Sequence, residues 1–264
     1  MRVRIRAVLL AAMFAIAAPL HAARAEAVDL LLALVTDVSR SIDDQEYALQ
    51  KNGYVAAFAD ARVLAAIKGG ALGAIAVNYI EFASAHEVRT VIGWTIIRDE
   101  ASARAFGEAV KAAPRSFWGR TAIGSGIDHA VKEMNASGHE ATRRVIDVCG
   151  DGTSNAGRPM QAARDDAVAA GIAVNGLVIL SEPNNEWNAA HVNPPGGLKK
   201  YYEENVIGGP GSFVIQADDF AAFGEAMTRK LINEISLAPS GIKFSRTQLM
   251  RPGGNVAILG RVRG

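Results

Sequence analysis

The chain has 264 residues, of which 50% are hydrophobic and 21% are charged, and its formal net charge at pH 7 is +1. This composition excludes disorder over most of the length, because enough apolar side chains are present to form a core. The small net charge argues against nucleic acid as a partner. About 240 residues remain once a targeting segment is removed, enough for one large α/β domain or two small ones.

The first 25 residues have the order of a secretory signal peptide. Arginines come first, and an uncharged apolar run follows over residues 7–20. Ala23 and Ala25 are then small residues at the two positions that signal peptidase recognises. A membrane anchor is the alternative, but this run is shorter than the roughly 18 residues that span a bilayer. We therefore predict cleavage after Ala25 and a periplasmic or secreted mature protein without a transmembrane anchor.

Cleavage makes the mature protein slightly acidic. The segment carries four arginines, so Lys and Arg fall from 28 to 24 while Asp and Glu stay at 27. The single Cys149 cannot form an internal disulfide, so the exported domain depends on its core. We expect this thiol to be a small buried side chain.

Apolar runs that end at polar residues predict a parallel sheet. Strands buried on both faces appear as continuous aliphatic segments, and these are found at residues 28–35, 145–149 and 172–180. The runs at residues 74–82 and 87–95 are joined by a link that permits only a hairpin, which predicts an antiparallel edge strand. A last strand is expected at residues 212–217.

Helical stretches alternate with these strands. They are predicted at residues 43–59, 99–112, 122–135, 159–170 and about 220–235. Asp218 is the expected N-cap of the last helix. The alternation predicts an α/β fold with a doubly wound, mostly parallel sheet, one antiparallel edge strand and helices on both faces.

Two segments have no regular pattern. Residues 181–211 are rich in Asn, Pro and Gly around a short helix expected at residues 198–205. This segment is too long for a plain connection, so we interpret it as a functional insertion. Residues 239–264 are basic and contain no acid, and we interpret them as a loosely held C-terminal tail, with a docking arm as the alternative.

Polar residues at the expected strand ends supply oxygen ligands. In an open α/β sheet, the carboxyl ends of the strands form one edge where ligands bind. Asp37 follows the first strand, with Ser39 and Ser41 beyond it. Asp151 follows a later strand, and Thr121 opens the helix before that strand. Three hydroxyls and two carboxylates suit a hard cation such as Mg²⁺ or Mn²⁺, which takes oxygen ligands and keeps some water.

The balance of these ligand types predicts a binding site and not a catalytic one. If the hydroxyls contact the ion directly while one or both carboxylates act through water, the ion keeps much of its positive charge. It then seeks an external anionic oxygen, most simply that of an Asp or Glu in a protein partner.

The motif D-x-S-x-S at residues 37–41, with Thr121 and the Asp151 of a Gly-Asp-Gly turn, resembles the metal-ion-dependent adhesion site of von Willebrand factor A domains. All five motif positions are present, and residues 28–235 follow that family's order of strands and helices. The likeness implies a Rossmann-like von Willebrand A domain at residues 26–238 that binds Mg²⁺ or Mn²⁺ and a protein ligand. The chain looks most like an exported bacterial branch of unknown function.

Aromatic residues near the motif are candidates for partner contact. Phe117 and Trp118 lie just before Arg120, and Trp187 lies in the insertion. Large aromatic side chains at such an edge often anchor partners. Packing in the core is the alternative for Phe117 and Trp118.

The motif residues also permit structural and catalytic alternatives. Ser41 with Asp44 is an acceptable capping box, and Thr121 is an acceptable N-cap. A metal-assisted hydrolase could use Asp37 as a nucleophile, although Ser39 occupies the place of the second acid that such chemistry normally requires. A structural domain with a vestigial metal site is a further alternative.

The histidines show no metal-ligand spacing. We therefore expect surface or structural roles for four of them, His86, His129, His139 and His191.

We expect the processed protein to begin at Glu26. The order of basic, apolar and small residues predicts cleavage after Ala25, and mass spectrometry of the protein recovered from the periplasm or medium measures the mature N-terminus. Replacing Ala23 and Ala25 by leucine should leave the leader attached. Intact Met1 in the processed wild-type protein would contradict the prediction.

Overall fold

A computed structural model describes residues 26–182 and 186–236, apart from the side chains of residues 186 and 187. The predicted signal segment at residues 1–25 and the predicted tail at residues 239–264 lie outside this description. Within the described residues, no helix is long and apolar enough to cross a membrane.

The fold is built around a six-stranded sheet. Its strands are β1 (Ala27–Asp37), β2 (Ile75–Phe82), β3 (Val88–Ile97), β4 (Glu140–Gly150), β5 (Ala173–Ile179) and β6 (Val214–Ala217). Their order across the sheet is β3-β2-β1-β4-β5-β6, and every neighbouring pair is parallel except β2 and β3. The predicted doubly wound, mostly parallel sheet with one antiparallel edge strand is therefore confirmed.

Helices cover both faces of the sheet. They are α1 (Asp44–Ala59), α2 (Ala61–Lys68), α3 (Glu100–Ala112), α4 (Ile123–Ala136), α5 (Met160–Ala169), α6 (Glu186–Val192), α7 (Leu198–Asn205) and α8 (Phe223–Ser236). Because successive side chains of a strand point to opposite faces, Leu30 and Leu32 of β1 pack with α1, α2, α3 and α8, whereas Leu31 and Ala33 pack with α4, α5 and α7. Both faces of the central strand are thus buried.

The helix predictions need correction at several points. The sequence pattern did not predict α2 or α6, and α8 begins at Phe223 and not near residue 220. Asp218 is not an N-cap, because a turn precedes the helix in which Asp219 Oδ1 accepts the N–H of Ala222 at 2.7 Å. The insertion at residues 181–211 therefore contains α6 as well as the predicted α7.

Candidate metal centre

The register of the two central strands brings two carboxylates together. β1 and β4 run parallel with Thr36 opposite Cys149, so Asp37 and Asp151 follow at the same edge of the sheet. Gly150 permits this approach, because a Cβ at that position would lie 3.1 Å from the Cβ of Asp37. Both carboxylates are fully buried.

Three hydroxyl side chains connect these carboxylates. Thr121 Oγ1 donates to Ser39 Oγ at 2.9 Å, and Ser39 Oγ lies 3.0 Å from Ser41 Oγ. Ser41 Oγ donates to Asp151 Oδ1 at 2.8 Å. Asp37 Oδ1 accepts the backbone N–H of Ser39 at 2.7 Å. The structure therefore gathers all five residues selected from the sequence into one cluster.

The hydroxyls of this cluster are not helix caps. The capping box of α1 is formed by Asp43 and Glu46, and Ser41 takes no part in it. The N-cap position of α4 is Ala122, which has no side-chain capping bond, so Thr121 neither caps nor opens that helix. The alternative of capping roles for Ser41 and Thr121 is therefore excluded.

The cluster fits a bound cation. Asp37 Oδ2 is buried and has no hydrogen-bond partner among the described residues. Burial raises the pKa of Asp37 to about 8, and the neighbouring Asp151 acts in the same direction. Burial also raises the pKa of Asp151 to about 6. A buried carboxylate is costly without a positive partner, and a cation here would supply one to both.

A second unpartnered atom lies close by. The buried hydroxyl of Tyr202, from α7, has no hydrogen-bond partner in the described part of the chain. A Cβ on Gly150 would lie 2.8 Å from Tyr202 Oη and 3.2 Å from Asp37 Oδ2, so both orphaned oxygens flank the same glycine. Buried polar atoms are normally satisfied by protein, water or an ion, which is a further sign of a ligand at this place.

The donor set indicates a hard cation. Across the described residues, no group of three or more His, Cys, Asp or Glu side chains is arranged to hold a metal ion. The cluster instead offers three hydroxyls and two carboxylates, and oxygen ligands of this kind suit Mg²⁺ and Mn²⁺ better than metals that favour thiolate ligands.

Arg115 holds the loop that carries the two serines. Its Nη2 donates to the carbonyl oxygens of Val38, Ser39 and Ile42 at 2.9, 2.8 and 2.9 Å. Its Cζ lies 4.6 Å from the ring centroid of Trp118. Sequence reasoning missed Arg115, because its acceptors are backbone carbonyls that carry no residue-specific signal.

The edge beside the cluster presents the aromatic side chain expected there. Trp118 is 57% exposed, so it does not pack in the core. Phe117 is half-buried, and Arg120 is exposed with its backbone N–H donating to Ser84 Oγ at 2.8 Å. Trp187 lies in the first turn of α6, and its side chain is outside the described residues. A role for these residues in partner binding stays a prediction.

α6 brings His191 against the cluster. Its Nε2 lies 3.4 Å from Thr121 Oγ1, and its Nδ1 lies 3.2 Å from Thr153 Oγ1. Gly152 provides the space, because a Cβ there would lie 2.1 Å from Nε2. Burial lowers the pKa of His191, and the positive charge of Arg40 acts in the same direction.

Spacing alone could not identify His191, which we expected to be a surface or structural residue. The available signal was its position in the insertion that follows β5, whose carboxyl end faces the same edge as those of β1 and β4. Ser181 begins that insertion and donates to Asp151 Oδ2 at 3.3 Å. The insertion is therefore part of the site.

We expect Asp37→Asn to stabilise the metal-free protein at pH 8. Because the folded-state pKa of Asp37 is raised from 3.8 to about 8, its contribution to stability is present below pH 3.8 and is lost as the pH rises through about 8. Asparagine keeps the oxygen that accepts the Ser39 N–H and has no charge to bury. In chelator, urea unfolding should give the variant an advantage at pH 8 of about 1 kcal/mol or more.

The control for this prediction is Asp218→Asn, an exposed position after β6. This variant should keep the wild-type decline in the free energy of unfolding between pH 5 and pH 8. If the wild-type protein is more stable than Asp37→Asn at pH 8 in chelator, the raised pKa of Asp37 is contradicted.

Several solved structures have a similar fold. They include proximal thread matrix protein 1 from the mussel byssus (17% identity, TM-score 0.54, 80% of this chain and 49% of that chain), the pilus adhesin SpaC from Lactobacillus rhamnosus GG (16%, 0.53, 79% and 31%) and a von Willebrand factor type A protein from Catenulispora acidiphila (16%, 0.53, 79% and 43%). The chain thus spans less than half the length of each. One structure of the mussel protein has a zinc-occupied MIDAS motif.

These likenesses establish the fold, which is that of von Willebrand factor A domains, as the sequence motif predicted. No match is found among curated proteins. A family described as Protein of unknown function (DUF1194) matches residues 27–239, and the chain belongs to that family.

Proposed function

We propose that this protein is an exported, metal-dependent protein-binding module of the adhesion type. The ion, Mg²⁺ or Mn²⁺, is held by the side chains of Asp37, Ser39, Ser41, Thr121 and Asp151, and an Asp or Glu of a protein partner completes its coordination. The observation that carries the proposal is the buried Asp37 Oδ2, which has no hydrogen-bond partner among the described residues. A cation beside the hydroxyl chain supplies that partner.

The ligand chemistry explains why the ion binds a partner. Three of the five side chains are neutral hydroxyls, so two carboxylates at most offset the charge of a divalent ion. Carboxylates that act through water reduce that charge less than direct ligands do. The ion therefore keeps an affinity for an external carboxylate, which is the preferred anionic oxygen ligand in proteins.

The surroundings of the ion select the partner. Trp118 is exposed but stacked on Arg115, whose guanidinium also holds the serine loop. An aromatic side chain held in this way contacts a partner at a low cost in conformational entropy. In our proposal Phe117, Arg120 and the insertion at residues 181–211, with Trp187, form the rest of the contact surface.

The likeness to other proteins supports the same interpretation. A pilus adhesin shares the fold, and a byssus matrix protein of this fold carries a zinc-occupied MIDAS motif. We further propose that residues 1–25 are a cleaved signal peptide, residues 26–238 the binding domain and residues 239–264 a basic tail, which places the protein in the periplasm or outside the cell.

A metal-assisted hydrolase is the alternative from another class. It would need a general acid or base beside Asp37. The neighbouring side chain in the motif is Ser39, a hydroxyl, and the oxygens of the nearby Asp151 already accept from Ser41 and Ser181. His129 follows a Gly-Ser-Gly sequence, but its Nε2 lies 2.8 Å from Thr90 Oγ1 on the edge strand. Neither arrangement favours hydrolysis. Turnover of a generic phosphate ester would be needed to support the hydrolase alternative.

We expect Mg²⁺ or Mn²⁺ to raise the melting temperature of the wild-type protein and not that of Asp37→Ala. A ligand that binds only the folded state adds about 2.7 kcal/mol at a hundredfold excess over its Kd. Differential scanning fluorimetry with metal and with chelator measures the shift. Asp218→Ala, an exposed change outside the motif, should respond as the wild type does. Equal shifts in Asp37→Ala would mean that the ion binds elsewhere, and no shift in any form would indicate a vestigial site.

We expect capture of a protein partner to require the divalent ion. Immobilised wild-type protein should retain this partner from a periplasmic extract in Mg²⁺ and release it in chelator, because the ion joins the two proteins. Thr121→Ala should weaken retention strongly through the loss of a metal ligand, and an Asp or Glu to amide change in the partner should abolish it. Retention that is equal in chelator, or that ignores every such amide change, would mean that the metal is structural.

A further inference from the structure

His191 presents one ring nitrogen to the cluster and the other to a fixed hydrogen-bond network. Nε2 faces Thr121 Oγ1 at 3.4 Å, which is longer than an ordinary N–H···O bond. Nδ1 lies between Thr153 Oγ1 at 3.2 Å and Asn155 Nδ2 at 3.3 Å. The backbone also fixes the residue, because the N–H of Thr153 donates to the carbonyl oxygen of His191 at 3.0 Å.

The network determines which ring nitrogen carries the proton. The backbone N–H of Thr121 donates to Asn155 Oδ1 at 3.0 Å, so the amide nitrogen of Asn155 is the atom that faces His191. An amide nitrogen can only donate, so Nδ1 must accept, and the hydroxyl of Thr153 can rotate to donate as well. A neutral imidazole has one proton, which therefore resides on Nε2 and points into the cluster.

This proton placement excludes one role for His191 and favours another. A histidine binds a metal through an unprotonated nitrogen, and the nitrogen nearest the cluster is the protonated one. The hydroxyl proton of Thr121 is directed at Ser39 Oγ, and the Nε2–H has only a long contact with Thr121. A donor is thus left for a ligand that binds beside Thr121.

We propose that His191 is a ligand-recognition residue whose Nε2–H donates to the partner carboxylate that binds the ion. This inference rests on the proposed function. A carboxylate has two oxygens, so it can bind the metal through one and accept from His191 through the other. A side-chain amide that binds the metal through its oxygen presents N–H donors in place of the second oxygen, so a donor there would face the Nε2–H donor of His191. His191 therefore adds discrimination of Asp or Glu against Asn or Gln.

The experiment uses acetate as the probe and Mn²⁺ as the ion. Paramagnetic relaxation of the acetate methyl protons by bound Mn²⁺ gives the acetate Kd, and electron paramagnetic resonance of free Mn²⁺ gives the metal Kd. Loss of a charge-assisted hydrogen bond in His191→Ala should weaken acetate binding about tenfold and leave Mn²⁺ affinity within about twofold. His191→Gln keeps an N–H donor and should restore most of the acetate affinity. Acetamide should bind weakly to every form.

The outcomes separate this inference from the proposed function. If wild-type protein binds Mn²⁺ and acetate, but His191→Ala binds acetate equally well, the role of His191 is wrong and the proposed function stands. If His191→Ala also loses Mn²⁺ while its melting curve shows a folded protein, the imidazole is a metal ligand and the inference is wrong. If the Mn²⁺-loaded wild type shows no acetate relaxation, both are wrong. Should His191→Ala fail to fold, His191→Leu, which fills more of the space but has no N–H donor, takes its place in the same comparison, with His191→Gln as the variant that keeps the donor.

Discussion

The site depends on one constraint, the parallel pairing of β1 with β4 at the centre of the sheet. Residues 30–35 of β1 and 145–149 of β4 are buried, and apart from Asp147 they are apolar. Their register then places Asp37 and Asp151 side by side in a buried position. Two carboxylates in such a place repel each other and lose hydration. Three hydroxyls surround these carboxylates, and Arg115 holds the loop that carries two of them. A cation at this place would supply the positive charge that the carboxylates lack.

Sequence reasoning could locate the carboxylates because strand ends are visible in the pattern of residues. An aliphatic run that stops at Asp37 marks a buried strand and its carboxyl end, and the same holds for Asp151. The short link between β2 and β3 identified the antiparallel edge in the same way. Helix starts were less accurate, because several polar residues near α1 and α8 could serve as caps, and the turn before α8 uses the side chain of Asp219 and not that of Asp218.

The rest of the site is formed by contacts that leave no mark in the local sequence. Arg115 donates to backbone carbonyls, and His191 lies on a short helix that the pattern did not predict. Tyr202, on α7 of the insertion, lies against Gly150. Each depends on which segments the fold places at the edge, not on spacing along the chain. The insertion could be selected as a candidate by its length, but its individual contacts with the cluster could not be predicted.

A comparison with a second buried carboxylate shows why Asp37 indicates a ligand. Asp147, also in the sheet, is fully buried, and burial raises its pKa to about 7, but Lys230 Nζ lies 2.9 Å from its Oδ1, so the protein itself supplies an opposite charge. The cation that acts on Asp37 is Arg115, and its Nη2 is directed at three backbone carbonyls. Burial is therefore common to both carboxylates, and compensation is not. A buried acid paired with a cation of the protein is compensated within the fold, whereas Asp37 forms no ion pair among the described residues and leaves a place for an external cation.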